Sequence, residues 1–180
     1  MEDVTAVLIT REVEYPNIVL ERLNCTDFFK DIIIVTECPS VYHRYLAAAK
    51  AETEHIFVLD DDALVNFQVL WSKYDKERIT NAMTKEFIEK YKDTGCTLIG
   101  FGAFFPKTML KCFEKYINKY GVDETLLREA DRVFTAMHLN EINTVTMPHE
   151  DLRQDSGRMC YQENHYSSMN EALEKCKNLD

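Results

Sequence analysis

The loop after the first apolar segment, Thr10-Arg11-Glu12-Val13-Glu14-Tyr15, contains no glycine. A nucleotidyltransferase would place a glycine-rich, basic phosphate loop there, so that chemistry ranks behind the others. The six cysteines (Cys25, Cys38, Cys96, Cys112, Cys160, Cys176) include no C-x-x-C pair, which speaks against a zinc knuckle and for reduced thiols. No apolar run approaches the ~20 residues of a membrane span. The opening Met1-Glu2-Asp3-Val4 carries neither a basic segment nor an apolar stretch, so a cytoplasmic protein without a signal peptide is expected. Internal repeats and low-complexity linkers are also missing.

What is present is acidic and globular. Asp and Glu outnumber Lys and Arg by 31 to 21, a formal charge of −10, which weighs against broad non-specific nucleic-acid binding while allowing a local basic groove. A content of 46% hydrophobic and 29% charged residues in 180 suits one folded domain. Val4 to Ile9 and Asp31 to Val35 read as buried strands, with a helical pattern between them opened by Pro16. Ser40 is placed to cap a helix through Ala51, and residues 55–59 form a third strand. Two consecutive β-α units predict a mostly parallel, Rossmann-like sheet with helices on both faces, an α/β fold. Ligands bind such sheets beyond the carboxyl ends of the strands, where Thr10-Arg11, Thr36-Glu37 and Asp60-Asp61-Asp62 fall.

Further along, residues 64–94 read as a surface excursion with an amphipathic helix near 84–93. Thr97 to Phe105 reads as a strand whose glycines admit a ligand, with Phe104 and Phe105 on an acceptor wall. Pro106 suits the start of the next helix. Another helix covers 123–138, then come a strand at 143–147 and a polar tail with a short helix near 168–177.

The chemistry concentrates on few residues. Three consecutive carboxylates at a strand end repel one another, and a hard divalent cation bridging to phosphates relieves that; Asp60 and Asp62 are the metal candidates. His149, just after the strand at 143–147, can complete that coordination, with His165 as rival ligand or phosphate contact. Arg153 and Arg158 can neutralise a diphosphate. On the 123–138 helix, Glu129 and Asp131 sit on opposite shoulders of the apolar face, with Arg128 and Arg132 outside it. A shoulder carboxylate can serve as a general base. Lys107, Lys111, Lys115 and Lys119 recur every four residues, as a solvated helix face or as a phosphate-tracking stripe.

These residues, over roughly 4–150, resemble the GT-A glycosyltransferases, the metal-dependent nucleotide-sugar transferases, with a viral-type member as one form. Thr10-Arg11 stands where that family contacts its nucleotide, Asp60-Asp61-Asp62 where it carries Asp-x-Asp, and Glu129-Ala130-Asp131 where its acidic catalytic motif lies. His149 resembles its late metal-binding histidine, whereas Glu37 replaces the Asp or Asn common after the second strand.

The resemblance implies hexosyl transfer from a nucleoside diphosphate sugar, UDP-sugar favoured, to an acceptor hydroxyl with Mn²⁺ or Mg²⁺. The acceptor would be a glycan, a protein or DNA. Thr10, Arg11, Glu37, Arg44, Asp60, Asp61, Arg158 and His165 would line the nucleotide and sugar. Residues 1–62 would form the nucleotide-binding half and 95–150 the acceptor half, with 151–180 as a tail. If configuration inverts, Asp131 is the base; if it is retained, Asp131 orients the sugar. Alternatives are the same transfer to a hydroxylated base in DNA, and a non-catalytic binding module.

Overall fold

In the computed structural model, residues 2–10, 16–36, 40–92, 97–152 and 165–179 are described. The elements follow from the apolar runs. β1 (Val4–Ile9) is buried along its whole length, and β3 (His55–Asp60) lies parallel to it, Leu8 beside Leu59 and Ile9 beside Asp60. β2 (Asp31–Val35) pairs parallel on the other side of β1 as the edge strand. The helices α1 (Pro16–Asn24) and α2 (Tyr42–Ala49) make the two crossovers. The α2 N-cap position is Val41, with no side-chain cap; Ser40 instead meets His43 Nδ1 through its Oγ at 2.7 Å.

The remaining strands complete a six-stranded sheet in the order β2-β1-β3-β6-β5-β7, where β5 is Ile79–Met83, β6 is Ala103–Pro106 and β7 is Ile142–Thr146. Only β6 runs against the others. Alternate side chains feed two cores, as period-2 geometry requires. Val7, Ile56, Val58 and Phe105 face α2 and the later helices α5 (Cys112–Tyr120) and α6 (Glu124–Met137). Ala6, Leu8, Phe57, Leu59 and Phe104 face α1 and the short α3 (Phe67–Trp71). Each fully buried Phe or Leu contributes roughly 1.5–3 kcal/mol.

Several expectations are corrected. The supposed surface excursion at 64–94 holds β5, a fully buried inner strand, as well as β4 (Ala63–Val65) and α4 (Lys85–Tyr91). The run from Thr97 is interrupted by a 3₁₀ turn at Ile99–Phe101, because Gly102 takes φ +114°, a conformation that breaks an extended chain. Pro106 closes β6, and a 3₁₀ stretch, Lys107–Lys111, precedes α5. Phe104 and Phe105 are fully buried, so they build the core and form no acceptor wall. Beyond β7, a further strand, β8 (His149–Asp151), pairs antiparallel with β4. Finally α7 (His165–Lys177) packs on α6, burying Met169 and Ala172.

Candidate functional site

The antiparallel course of β6 builds the site. Because Ala103 pairs with Val58, the chain just before β6 must cross the carboxyl end of β3, and this lays the Ile99–Phe101 turn against Asp60. A Cβ on Gly100 would overlap the Asp60 carboxylate; only glycine leaves room for it. Asp60 in turn accepts from Arg44 Nη2 on α2.

Arg44 joins two carboxylates. Its Nη1 donates to Asp131 Oδ2 on α6 at 3.3 Å, and the hydroxyl of Tyr45 donates to Asp131 Oδ1 at 2.7 Å. The Arg44 side chain is 3% exposed, against 38% for Asp60 and 25% for Asp131. A sealed cation thus carries two carboxylates whose outer edges meet solvent. Burial pushes the Asp131 carboxyl above the ordinary aspartate range; Arg44 opposes that shift, and Asp60 adds to it. Burial would lower the Arg44 pKa, but Asp131 and Asp60 outweigh it and hold the guanidinium charged. Tyr45 is pushed well up by burial and by Asp131, so it donates as a neutral phenol.

The neighbouring aspartates turn back from the sheet. Asp61 is buried, and its Oδ2 has no hydrogen-bond partner. The Asp62 carbonyl accepts from Leu152 N at 2.7 Å, continuing the β4–β8 ribbon in which His149 lies opposite Val65 and Asp151 opposite Ala63. The ribbon therefore returns the late chain to the aspartates. Among the described residues no three His, Cys, Asp or Glu side chains form a metal cage. Mg²⁺ and Mn²⁺ sites completed by phosphate oxygens need only one or two carboxylates, and the partnerless Asp61 oxygen and the hard donor set at 60–62 fit that kind of shell.

Thr10 directly follows β1 at the same sheet edge, buried, its N–H donating to Val35 O at 3.0 Å. Arg11, Glu37, Arg153 and Arg158 lie outside the described residues; of His149 and His165 the backbone alone is described, in β8 and at the start of α7. Glu129 is not brought to Asp60. It is buried at a non-helical point of α6 (φ −113°, ψ 29°), where it accepts from Ser168 and lies 3.5 Å from Arg128 Nε. Arg132, expected outside the apolar face, is 4% exposed. The lysine stripe is partly engaged: Lys107 Nζ donates to Ala51 O at 2.7 Å and Lys119 to Asn178 O. Tyr45 was missed, since only its contact with a helix 86 residues later reveals it.

No protein-family model and no curated protein matches the sequence. Solved structures do match. A glycosyltransferase involved in the glycosylation of the major capsid of PBCV-1 superposes with a TM-score of 0.55 at 10% identity, over 94% of this chain and 98% of that one. A mannosyltransferase from Pyrobaculum calidifontis, in complex with GDP-Man and Mn²⁺, gives 0.55 at 12% identity, over 98% of this chain and 73% of that one. The chain thus has the α/β fold of these GT-A-type glycosyltransferases, a mixed, mostly parallel six-stranded sheet between helices.

Proposed function

We propose that this protein transfers a sugar from a nucleoside diphosphate sugar, a UDP-sugar by preference, to an acceptor hydroxyl. The observation that carries the reading is Arg44 tying the strand-end Asp60 to the helix-borne Asp131 at the carboxyl edge of the sheet. Asp60, Asp61 and Asp62 supply the carboxylates for a divalent metal, with His149 on the adjoining ribbon. Bound there, Mn²⁺ or Mg²⁺ would supply charge neutralisation for the departing diphosphate.

The protein's own residues do the rest. Asp131, partly exposed and with raised proton affinity, takes the proton of the acceptor hydroxyl as its oxygen bonds to the sugar C1 and the C1–O bond to the diphosphate breaks. Tyr45 and Arg44 fix the carboxylate's orientation. A single displacement of this kind inverts the configuration at C1. Thr10, with Arg11 and Glu37, lines the nucleotide beyond β1 and β2.

Calorimetric titration of UDP, with GDP as comparison, with and without Mn²⁺, tests the reading. Metal-dependent binding lost in Asp60→Ala/Asp62→Ala is expected. Failure of both nucleotides with either divalent metal would end it.

A further inference from the structure

Arg132 follows Asp131 on α6 and is 4% exposed, yet its Nη1 is buried without a hydrogen-bond partner. No carboxylate among the described residues forms an ion pair with it. Its guanidinium lies over the ring of Tyr91, 5.0 Å from the centroid, and that ring belongs to a small buried cluster with Met83 and Met169, against which Leu98 packs. Taking a guanidinium out of water with no counter-ion is strongly unfavourable, and a ring face offsets only part of that cost. In a chain with ten excess negative charges, carboxylates to pair it are abundant. Among the described residues none lies within ion-pair distance of it, and its Nη1 donor is left unused.

The location says what. Leu98 leads directly into the turn whose Gly100 backs Asp60, and the Arg132 charge is felt at Asp131, where it opposes the effect of burial. Arg132 therefore adjoins the cluster at Asp131, its next neighbour on α6, and is backed there by Tyr91 of α4. Arg44 keeps an unpartnered buried Nε as well, but its charge is already shared between two carboxylates, so it has little to offer an incoming anion. Arg132 keeps an unused donor in a planar fork suited to carboxylate and phosphate oxygens.

We propose that Arg132 selects the acceptor: its buried guanidinium, backed by Tyr91, receives a carboxylate or phosphate carried by the molecule that is glycosylated. The proposal rests on the transferase reading above and adds the acceptor's charge to it. Sealed from water, such a pair resists screening by salt.

The test follows arginine Nε–Hε resonances by NMR while inorganic phosphate or acetate is added at constant ionic strength, in wild type, Arg132→Met and Arg132→Lys. One wild-type resonance, absent from both variants and so assigned to Arg132, is expected to shift. Phosphate alone moving it indicates a phosphorylated acceptor, and acetate alone an acidic one. In Arg132→Lys the affinity for the effective anion, read in both proteins from the rise in melting temperature the anion gives, falls about tenfold, from loss of the forked contact. Arg132→Met should melt no lower than wild type, since it removes an unpaired buried charge.

A resonance unmoved by both anions, or Arg132→Met melting well below wild type with no anion response in wild type, overturns the proposal. UDP and Mn²⁺ are titrated into the same samples. Nucleotide binding with a silent Arg132 refutes this inference alone, whereas an anion response without nucleotide binding supports the anion seat and refutes the transferase reading.

Discussion

Two carboxylates held by one guanidinium leave the Asp60–Arg44–Asp131 cluster with a surplus negative charge, and this fixes how single residues should behave. Burial raises the folded pKa of Asp131 above its unfolded value. Its contribution to stability is therefore fully present below the ordinary aspartate pKa and is lost as pH rises through the folded one. Asp131→Asn removes that loss while keeping an acceptor for Tyr45, so the variant should melt at or above the wild-type temperature at neutral pH. Its transferase rate should fall about 10²–10⁴-fold, measured as release of nucleoside diphosphate. For the wild type, the rate should climb from the acid side through a pKa above the usual aspartate range; a profile flat from pH 4 upward, or an undiminished Asp131→Asn, would count against the base. Gly100 acts by what it lacks. Gly100→Ala must displace Asp60 from its seat, at a cost of about 1–3 kcal/mol in urea unfolding, with weaker Mn²⁺ binding alongside.

Among elements, the pairing of α6 with α7 depends on polar contacts made by the tail. Ser168 meets Glu129, Thr125 Oγ1 donates to Glu171 at 2.6 Å, and Lys175 Nζ reaches the Asp123 cap at 2.9 Å. Ser168→Ala leaves the buried Glu129 carboxylate with Arg128 alone and should cost about 1–3 kcal/mol; hydrogen exchange should show faster opening of α7 than of β1 or β3. The first three strands were legible because branched apolar residues crowd Val4–Ile9, Asp31–Val35 and Ile56–Leu59. β5 was not, since Thr80 and Asn81 sit fully buried in it, with Asn81 bonded to Thr97 and Thr144. No local window reveals partners 16 and 63 residues away. In the site, Asp60 and Asp131 were each singled out by the sequence, whereas Arg44 reaching across 87 residues to join them was not. Arg132 misled because helical phase places it outside the apolar face, while Tyr91 of α4 covers its guanidinium there.

For the whole molecule, charge and topology converge at one edge of the sheet. A chain of net charge −10 that gathers three aspartates on one turn gains when a cation binds there. Mn²⁺ with UDP at a hundred times the dissociation constant should stabilise the fold by about 2.7 kcal/mol, seen as a rise in melting temperature that Asp60→Ala/Asp62→Ala abolishes. Equal shifts in both proteins would place the cation elsewhere. Among the described residues no helix is long and apolar enough to cross a membrane. The β4–β8 ribbon has a consequence for synthesis. A nascent chain that has emerged only to residue 120 holds Asp60 beside Gly100 but has neither Asp131 to share Arg44 nor the strand at 149–151 to flank the aspartates. The acidic turn stays open until the strand at 149–151 arrives, so the carboxylates are gathered on their turn well before the segment that flanks them exists.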